Sequence, residues 1–469
     1  MNQTMDVRKA LAGAAPTPFW LDDPARPAAL PALARDESCD LAVVGGGYSG
    51  LWTALVAKER DPGRDVVLLE GRRIGWAASG RNGGFAEASL THGLPNGIDR
   101  FESELRTLNR LGAENLDAMQ DTVHKYGIDC GWERTGQLNV ATAEWQAADL
   151  ADYATAAAEY GEEVELLDAA AVRAEVNSPT YHAGLWDKEG CAMVNPAKLA
   201  WGLRDACLAL GVRIYEGTRV TALEKAGTGM LLRTADGRRV RAGRVALATN
   251  VFPALVKRVR PYIVPVYDYA LMTEPLTDAQ LAEVGWGNRQ GIGDSANHFH
   301  YYRLSADNRI LWGGYDAVYH FGNRIATELD QRPQTFEKLA GHFYETFPQL
   351  SEVRFSHTWG GVIDTCTRFC AFFDTAYEGR AAYAAGFTGL GVGATRFGAR
   401  VMLDLLSGSP TELTELQMVR SKPLPFPPEP FKAAGINFTS WSLGRADRNG
   451  GKRNLWLRTL DRFGLGFDS

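Results

Sequence analysis

Glycines at 45, 46, 47 and 50 follow directly on the apolar run Leu41-Ala42-Val43-Val44 and lead into Leu51, Ala54, Leu55 and Ala57 at helical spacing. That order fixes a buried strand, a tight turn and a helix in immediate succession. Gly45 permits the turn, Gly47 lets a pyrophosphate approach the backbone, and Gly50 lets helix and strand pack closely. The N–H groups of the first helical turn, including those of Tyr48 and Ser49, are then free to face phosphates. Asp61-Pro62-Gly63 ends the helix, and a second strand over Asp65 to Leu69 runs into Glu70. A carboxylate at that place accepts hydrogen bonds from ribose hydroxyls and favours an adenosine without a 2′-phosphate, as in FAD or NAD.

The next segment separates those two cofactors. Gly75-Trp76-Ala77-Ala78-Ser79-Gly80-Arg81-Asn82-Gly83-Gly84-Phe85 is a run of small and hydrogen-bonding residues where an NAD domain would continue into another βαβ unit. A long glycine-rich wrap suits a flavin, whose ring is enclosed yet reachable. The chain has 469 residues, 45% hydrophobic and 23% charged, enough for more than one globular unit. A net charge of −6 removes the broad basic footprint of a nucleic-acid binder. The cysteines are scattered without metal-site or disulfide spacing, and no apolar run is long enough for a signal h-region or a membrane span. A soluble, cytoplasmic protein is expected.

With these motifs the sequence resembles the D-amino-acid-oxidase-like family of FAD-dependent amine and amino-acid oxidoreductases, in its γ-glutamylputrescine oxidase-like branch. The resemblance runs from about Phe19 to Gly408. It rests on Phe19-Trp20-Leu21-Asp22, the glycine turn, Ala78 to Gly84, Leu247-Ala248-Thr249-Asn250, Trp359-Gly360-Gly361 with Asp364, and Gly386-Phe387-Thr388-Gly389-Leu390-Gly391-Val392. It implies an α/β fold, α+β overall: a Rossmann-type FAD-binding domain and a second, antiparallel-sheet substrate domain, both from non-contiguous segments. The expected FAD domain comprises 35–100, 185–265 and 356–415. The expected substrate domain comprises 101–184 and 266–355, with a 1–34 extension and a 416–469 tail. Beyond the turn residues and Glu70, the resemblance assigns to FAD the residues Arg72, Ala78, Ser79, Gly80, Arg81, Asn82, Gly83, Gly84, Val220, Thr249, Asn250, Gly360, Gly389, Leu390, Gly391 and Val392.

It implies oxidation of a C–N bond in an amine or amino acid, with oxygen or another acceptor taking the electrons. A flavin-binding module acting through its tail is the alternative. Gly393 stands where sarcosine-oxidase-like relatives carry a lysine for the substrate carboxylate, which favours amines over simple α-amino acids. Gly361 stands where those relatives bond the flavin through cysteine, so FAD is expected to be non-covalent. The lysine that promotes reaction with oxygen in some members has no counterpart in Arg309 to Gly314, which leaves oxidase against dehydrogenase open.

The remaining chain agrees when read alone. Asn195-Pro196 caps a helix that stops at Gly211, and strands are predicted around Ile214, Leu231 and Arg239 to Ala248, with a hairpin at Asp236-Gly237. His298 to Leu304 and Arg309 to Tyr315 form a second predicted hairpin. Alternation puts His298, His300 and Tyr302 on one face, with Phe299, Tyr301 and Arg303 on the other. His298 and His300 lack a third metal ligand nearby, so no metal is expected. His300 and Tyr302 are taken as the groups that orient substrate or accept its proton, with Tyr267 as a further wall. In the tail, Lys422, Lys432, Arg445, Arg448, Lys452, Arg453, Arg458 and Arg462 are interleaved with Trp441, Leu455, Trp456 and Phe463. Docking on the chain itself or on a second copy is expected, with an anionic partner or a membrane surface as the alternative.

Overall fold

The structure, a computed structural model, describes residues 6–465; residues 1–5 and 466–469, the ends of the predicted extension and tail, lie outside the described residues. The strand Glu37–Val44 buries all of Leu41 to Val44 because it is flanked in parallel by Val66–Leu69 on one side and Arg239–Leu247 on the other. Arg213–Tyr215 and Ala381–Ala385 extend the parallel sheet outward, and Phe372–Ala376 closes one edge antiparallel. The hairpin Val220–Ala226 with Gly229–Thr234 completes eight strands. Strands buried on both faces need cover on both, and this sheet has it. Helices Tyr48–Arg60, Pro196–Ala209 and Gly391–Ser407 supply one core, while the hairpin side supplies another.

The second sheet has nine strands, in the order Val318–Tyr319, Val264–Thr273, Ile310–Gly314, His300–Leu304, Gly291–Asp294, Gln137–Ala141, Ala183–Asp187 and Glu165–Leu167. Phe355–Thr365 pairs antiparallel with Val264–Thr273 along nearly its whole length. All pairings are antiparallel except Gly291–Asp294 with Gln137–Ala141. This placement moves three of the predicted boundaries. Residues 356–365 belong to the substrate sheet, and the cuts at 184/185 and 265/266 fall inside strands of that sheet. A long strand between two domains carries no break in composition, so its side is set only by its pairing partner.

Helix Pro333–Thr346 covers one face of this sheet with Phe336, Leu339 and Phe343. The other face looks toward the parallel sheet. The N-terminal extension docks here too, where the Trp20 indole donates to the Asn82 carbonyl at 2.9 Å. The tail folds into two helices, Phe431–Arg448 and Leu455–Arg462. Among the described residues no helix is long and apolar enough to cross a membrane.

Candidate functional site

Between the two sheets lies a cavity of about 2830 Å³, larger than the few hundred to a thousand cubic ångströms of an ordinary small-ligand pocket. Its inner end is the glycine turn. At Gly45, where φ is 115°, a Cβ would stand 2.3 Å from the Ala248 carbonyl oxygen. A Cβ at Gly50 would stand 1.9 Å from the Gly45 oxygen. Both glycines are there because backbone meets backbone. The buried Ser49 hydroxyl, inside this turn, has no hydrogen-bond partner among the described residues, which fits a site for a phosphate oxygen. The Tyr48 N–H is held by the Ser79 hydroxyl at 2.9 Å, and the Tyr48 phenol donates to the Pro196 carbonyl at 2.7 Å.

Glu70, just past the end of strand Val66–Leu69, gathers three donors. One carboxylate oxygen accepts from the Gly46 N–H at 2.6 Å, and the other from the Arg72 N–H at 2.7 Å and the Trp76 indole at 3.1 Å. Burial pushes its pKa up, and these donors oppose that shift. The Arg72 guanidinium lies 4.3 Å over the Trp76 ring. Farther along, Asn82 folds the glycine-rich wrap on itself, donating to the Ala78 carbonyl at 2.9 Å and accepting from the Gly84 N–H at 2.8 Å. Arg81 bridges the domains through Asp330 at 2.5 Å and the Gly360 carbonyl at 3.1 Å. The start of helix Gly391–Ser407 also opens into the cavity, below a turn in which Thr388 and Gly389 have φ of 49° and 96°. Helix N-termini of this kind suit electron-rich atoms.

Of the residues assigned to FAD, Gly45, Gly47, Tyr48, Ser49, Glu70, Arg72, Ala78, Ser79, Arg81, Asn82, Gly83, Val220, Thr249, Asn250, Gly389, Leu390, Gly391 and Val392 line the cavity. Gly50, Gly80, Gly84 and Gly360 stand behind the wall. A Cβ on Gly80 or Gly84 would lie 2.2 Å from the carbonyl oxygen of Gly75 or Val194, and one on Gly360 would lie 2.8 Å from the Tyr269 ring. Their contribution is close packing of the layer that shapes the site. Asp364 also lines the cavity; it accepts from the Gly386 N–H at 2.7 Å, and burial pushes its carboxyl up to about 7.

The substrate sheet corrects the face chosen for catalysis. Tyr302 points under helix Pro333–Thr346, where its hydroxyl pairs with that of Tyr181 at 2.7 Å and its ring packs on Trp312. His300 turns the same way, between Asp294 at 2.6 Å and His342 at 2.9 Å. Tyr267 is closed off by the Ala326 backbone. None of the three lines the cavity, whereas Tyr301 does. The register places Asn139, Gly293, Tyr301, Gly313, Ala270 and Trp359 in one row across neighbouring strands. Tyr301 is the one residue of that row flanked by glycine on both sides, and a Cβ on Gly313 would meet its hydroxyl at 2.6 Å. Its hydroxyl donates to Asp268 at 2.6 Å. Burial pushes the Asp268 carboxyl up to about 6 against the lowering effect of that bond, and it pushes the Tyr301 phenol well above its ordinary value. Asp268 was not recognised in the sequence; Val-Tyr-Asp-Tyr-Ala reads as ordinary strand, and only the register aligns it with Gly361 on the cavity face.

The family model for FAD dependent oxidoreductases matches residues 40–405. Gamma-glutamylputrescine oxidoreductase from Escherichia coli is 34% identical over 385 residues, 79% of this chain and 84% of that protein. Among solved structures, glycine oxidase from Geobacillus kaustophilus superimposes with a TM-score of 0.66 at 20% identity, covering 82% of this chain and 99% of that one. L-proline dehydrogenase from P. horikoshii gives 0.66 at 17% identity, covering 81% and 96%. The chain belongs to the family of FAD dependent oxidoreductases. Its cofactor is FAD, held non-covalently: Gly361 lines the cavity with no side chain to bond it, and the nearby Cys366 thiol donates toward the carbonyls of Cys370 at 3.2 Å and Gly386 at 3.5 Å, with burial pushing it up to about 11.

Proposed function

We propose that the protein oxidises the C–N bond of a primary or secondary amine, extending to amino acids, and that the reduced enzyme turns over with oxygen. The observation that carries this reading is the Tyr301–Asp268 pair, facing the cavity from the substrate sheet opposite the glycine-rich wrap. The chemistry that FAD would supply there is that of a hydride acceptor for the carbon bearing nitrogen, with oxygen as the final acceptor, reduced to hydrogen peroxide. The turn Gly45 to Ser49 with Glu70 holds the adenosine diphosphate half, and the segments 78–83 and 389–392 hold the flavin half.

The chain's own residues need only bind and orient an amine whose nitrogen can lose a proton. The Tyr301 proton is committed to Asp268, so the lone pairs of its hydroxyl are the part left for substrate. Such a group accepts from an N–H and does not donate to a carboxylate. Asp268, ionised above about pH 6, attracts a cationic amine and takes up its proton through Tyr301 as the imine forms. Gly393, at the place of the family's carboxylate-binding lysine, packs against the Glu87 backbone with no room for a side chain, which supports amines over α-amino acids. The name of the Escherichia coli relative points the same way.

The test is a panel of polyamines, their acylated forms and N-methyl amino acids offered to the purified yellow protein. At least one is expected to bleach the flavin absorbance without air and to yield peroxide in air. Bleaching without peroxide assigns a dehydrogenase with another acceptor. Failure of every amine to bleach the flavin overturns the proposal.

A further inference from the structure

The C-terminal segment lies beyond the residues matched by the family, yet it lines the same cavity. It leaves the cofactor domain at Ser421, where the Arg368 guanidinium donates to its carbonyl and hydroxyl at 3.1 Å each, and it is held again at Leu424 by the Thr367 hydroxyl at 2.7 Å. It then crosses to the substrate domain, where the Glu429 carboxylate accepts from the Tyr319 hydroxyl and from the Gly322 N–H. At the far end of helix Phe431–Arg448, both oxygens of Asp447 are engaged. One accepts from the Asn297 N–H at 2.9 Å and the Asn297 amide at 2.6 Å, and the other from the His298 N–H at 3.1 Å. The segment is a strap anchored on both sides of the cavity.

Its inward face follows from helical spacing. Lys432, Ile436, Thr439, Ser440 and Leu443 recur at three- and four-residue steps and line the cavity, as do Phe431, Ala434, Gly435 and Phe438 beside them, while Trp441, off that face, is exposed. The residues that Asp447 clasps, Asn297 and His298, belong to the loop that enters the strand of Tyr301. From His298 to Tyr301 the chain spans at most about 10 Å.

We propose that this strap is the outer wall of the substrate chamber and sets the length of amine chain that the enzyme accepts, with Ile436 as the residue that meets the far end of the substrate and Asp447 as the positioning residue that holds the wall shut. The inference rests on the amine reading given above. An amine with its reacting carbon beside Tyr301 extends its remaining chain toward the strap, along a wall whose polar groups are already paired: the Lys432 ammonium with Glu429 at 3.5 Å, and the Thr439 hydroxyl with the Trp456 indole, from which it accepts at 2.9 Å.

The experiment uses the FAD-loaded full chain with Ile436→Trp and Asp447→Ala, and a series of straight-chain primary amines of increasing length. Ile436→Trp shortens the chamber, so kcat/KM for the longest amines is expected to fall about tenfold or more, with the shortest changed by less than about threefold. Asp447→Ala opens the wall, so KM is expected to rise about tenfold with kcat at saturation nearly unchanged. Acrylamide quenching of flavin emission, which needs no turnover, is expected to increase in Asp447→Ala. The proposal is overturned if the ratio of kcat/KM for long and short amines is the same in both variants as in the native chain, or if quenching is unchanged in Asp447→Ala. If the native protein itself is reduced by no amine, the reaction reading falls, and the quenching comparison alone decides whether the strap closes the chamber.

Discussion

The two sheets that enclose the cavity make their sites in different ways. The parallel sheet presents backbone: carbonyls and N–H groups brought close by glycine, with the Glu70 carboxylate accepting from the Gly46 N–H. The antiparallel sheet presents side chains, and its chemistry depends on which of two bulky faces looks inward. Backbone sites are written in local spacing, because any side chain at Gly45 or Gly50 collides with a neighbouring carbonyl. Side-chain sites are written in register, which no single strand reveals.

The largest expected effect tests the backbone half. Gly50→Val places new carbon against the Gly45 oxygen, where even a Cβ has only 1.9 Å, and neither partner can move without opening the strand–helix turn. Purified variant is expected to be colourless, its ratio of flavin to protein absorbance below about one hundredth of the native ratio, as fits overpacking by several kcal/mol. A yellow Gly50→Val protein breaks the comparison at its root.

Next comes the side-chain half. Asp268→Asn keeps the shape and removes the charge, and it is expected to lower the rate of flavin reduction about a hundredfold while FAD stays bound. Glu70→Ala should do the reverse: FAD affinity falls roughly tenfold to a hundredfold through lost charge-assisted hydrogen bonds, and the remaining loaded protein is reduced at nearly the native rate. Titrating released FAD against flavin reduction in the two variants separates them. Equal effects on both measurements in either variant would erase the division between the halves.

A smaller effect concerns pH. The Asp268 carboxyl is pushed up to about 6 by burial, and the bond from Tyr301 holds it lower than burial alone would. Activity that requires the ionised form rises with pH through about 6. Tyr301→Phe removes a group that favours the anion, so the acid limb of kcat/KM should move to higher pH; a limb that stays in place or moves down removes Asp268 from the pathway. Because the folded value lies above the unfolded one, the ionised carboxyl is also a burden on stability above about pH 6 that is relieved as pH falls.

How far each region could be read from sequence follows the same division. The strand, turn, helix and acid at Leu41 to Glu70, the capped helix at Asn195 and the Asp236-Gly237 hairpin all form where local spacing puts them. Strand His300–Leu304 was also placed correctly, but the phase of its inward face was not. Both of its faces are aromatic, since a helix buries one and a cofactor cavity the other, so there is no polar side to give the phase away. The signal that was available lies across the strand: Trp312 opposite Tyr302 marks a filled core, and Gly313 opposite Tyr301 marks a face that something approaches closely. Strand Phe355–Thr365 was assigned to the wrong domain because its partner is distant in sequence. The tail showed its charge and aromatics but not its role, because the contacts of Asp447 and Glu429 are made with loops more than a hundred residues away.

The smallest expected effect is also the sharpest check on the face assignment, because it concerns adjacent residues of one strand. Tyr302→Phe removes a hydroxyl whose listener is Tyr181, deep beneath helix Pro333–Thr346, and touches nothing in the cavity. The Tyr181 hydroxyl is left buried and unpaired, a loss of about 1–3 kcal/mol that should appear as a lower melting temperature. The rate of flavin reduction should change by less than about twofold, since even a shift of the ring is absorbed among Trp312, Trp286 and Phe347 before it reaches the cavity face. Tyr301→Phe, one position earlier, should slow reduction far more than it lowers stability. If the two substitutions exchange these signatures, the row of Asn139, Gly293, Tyr301 and Gly313 is not the face that meets substrate, and the phase first read from the strand is restored.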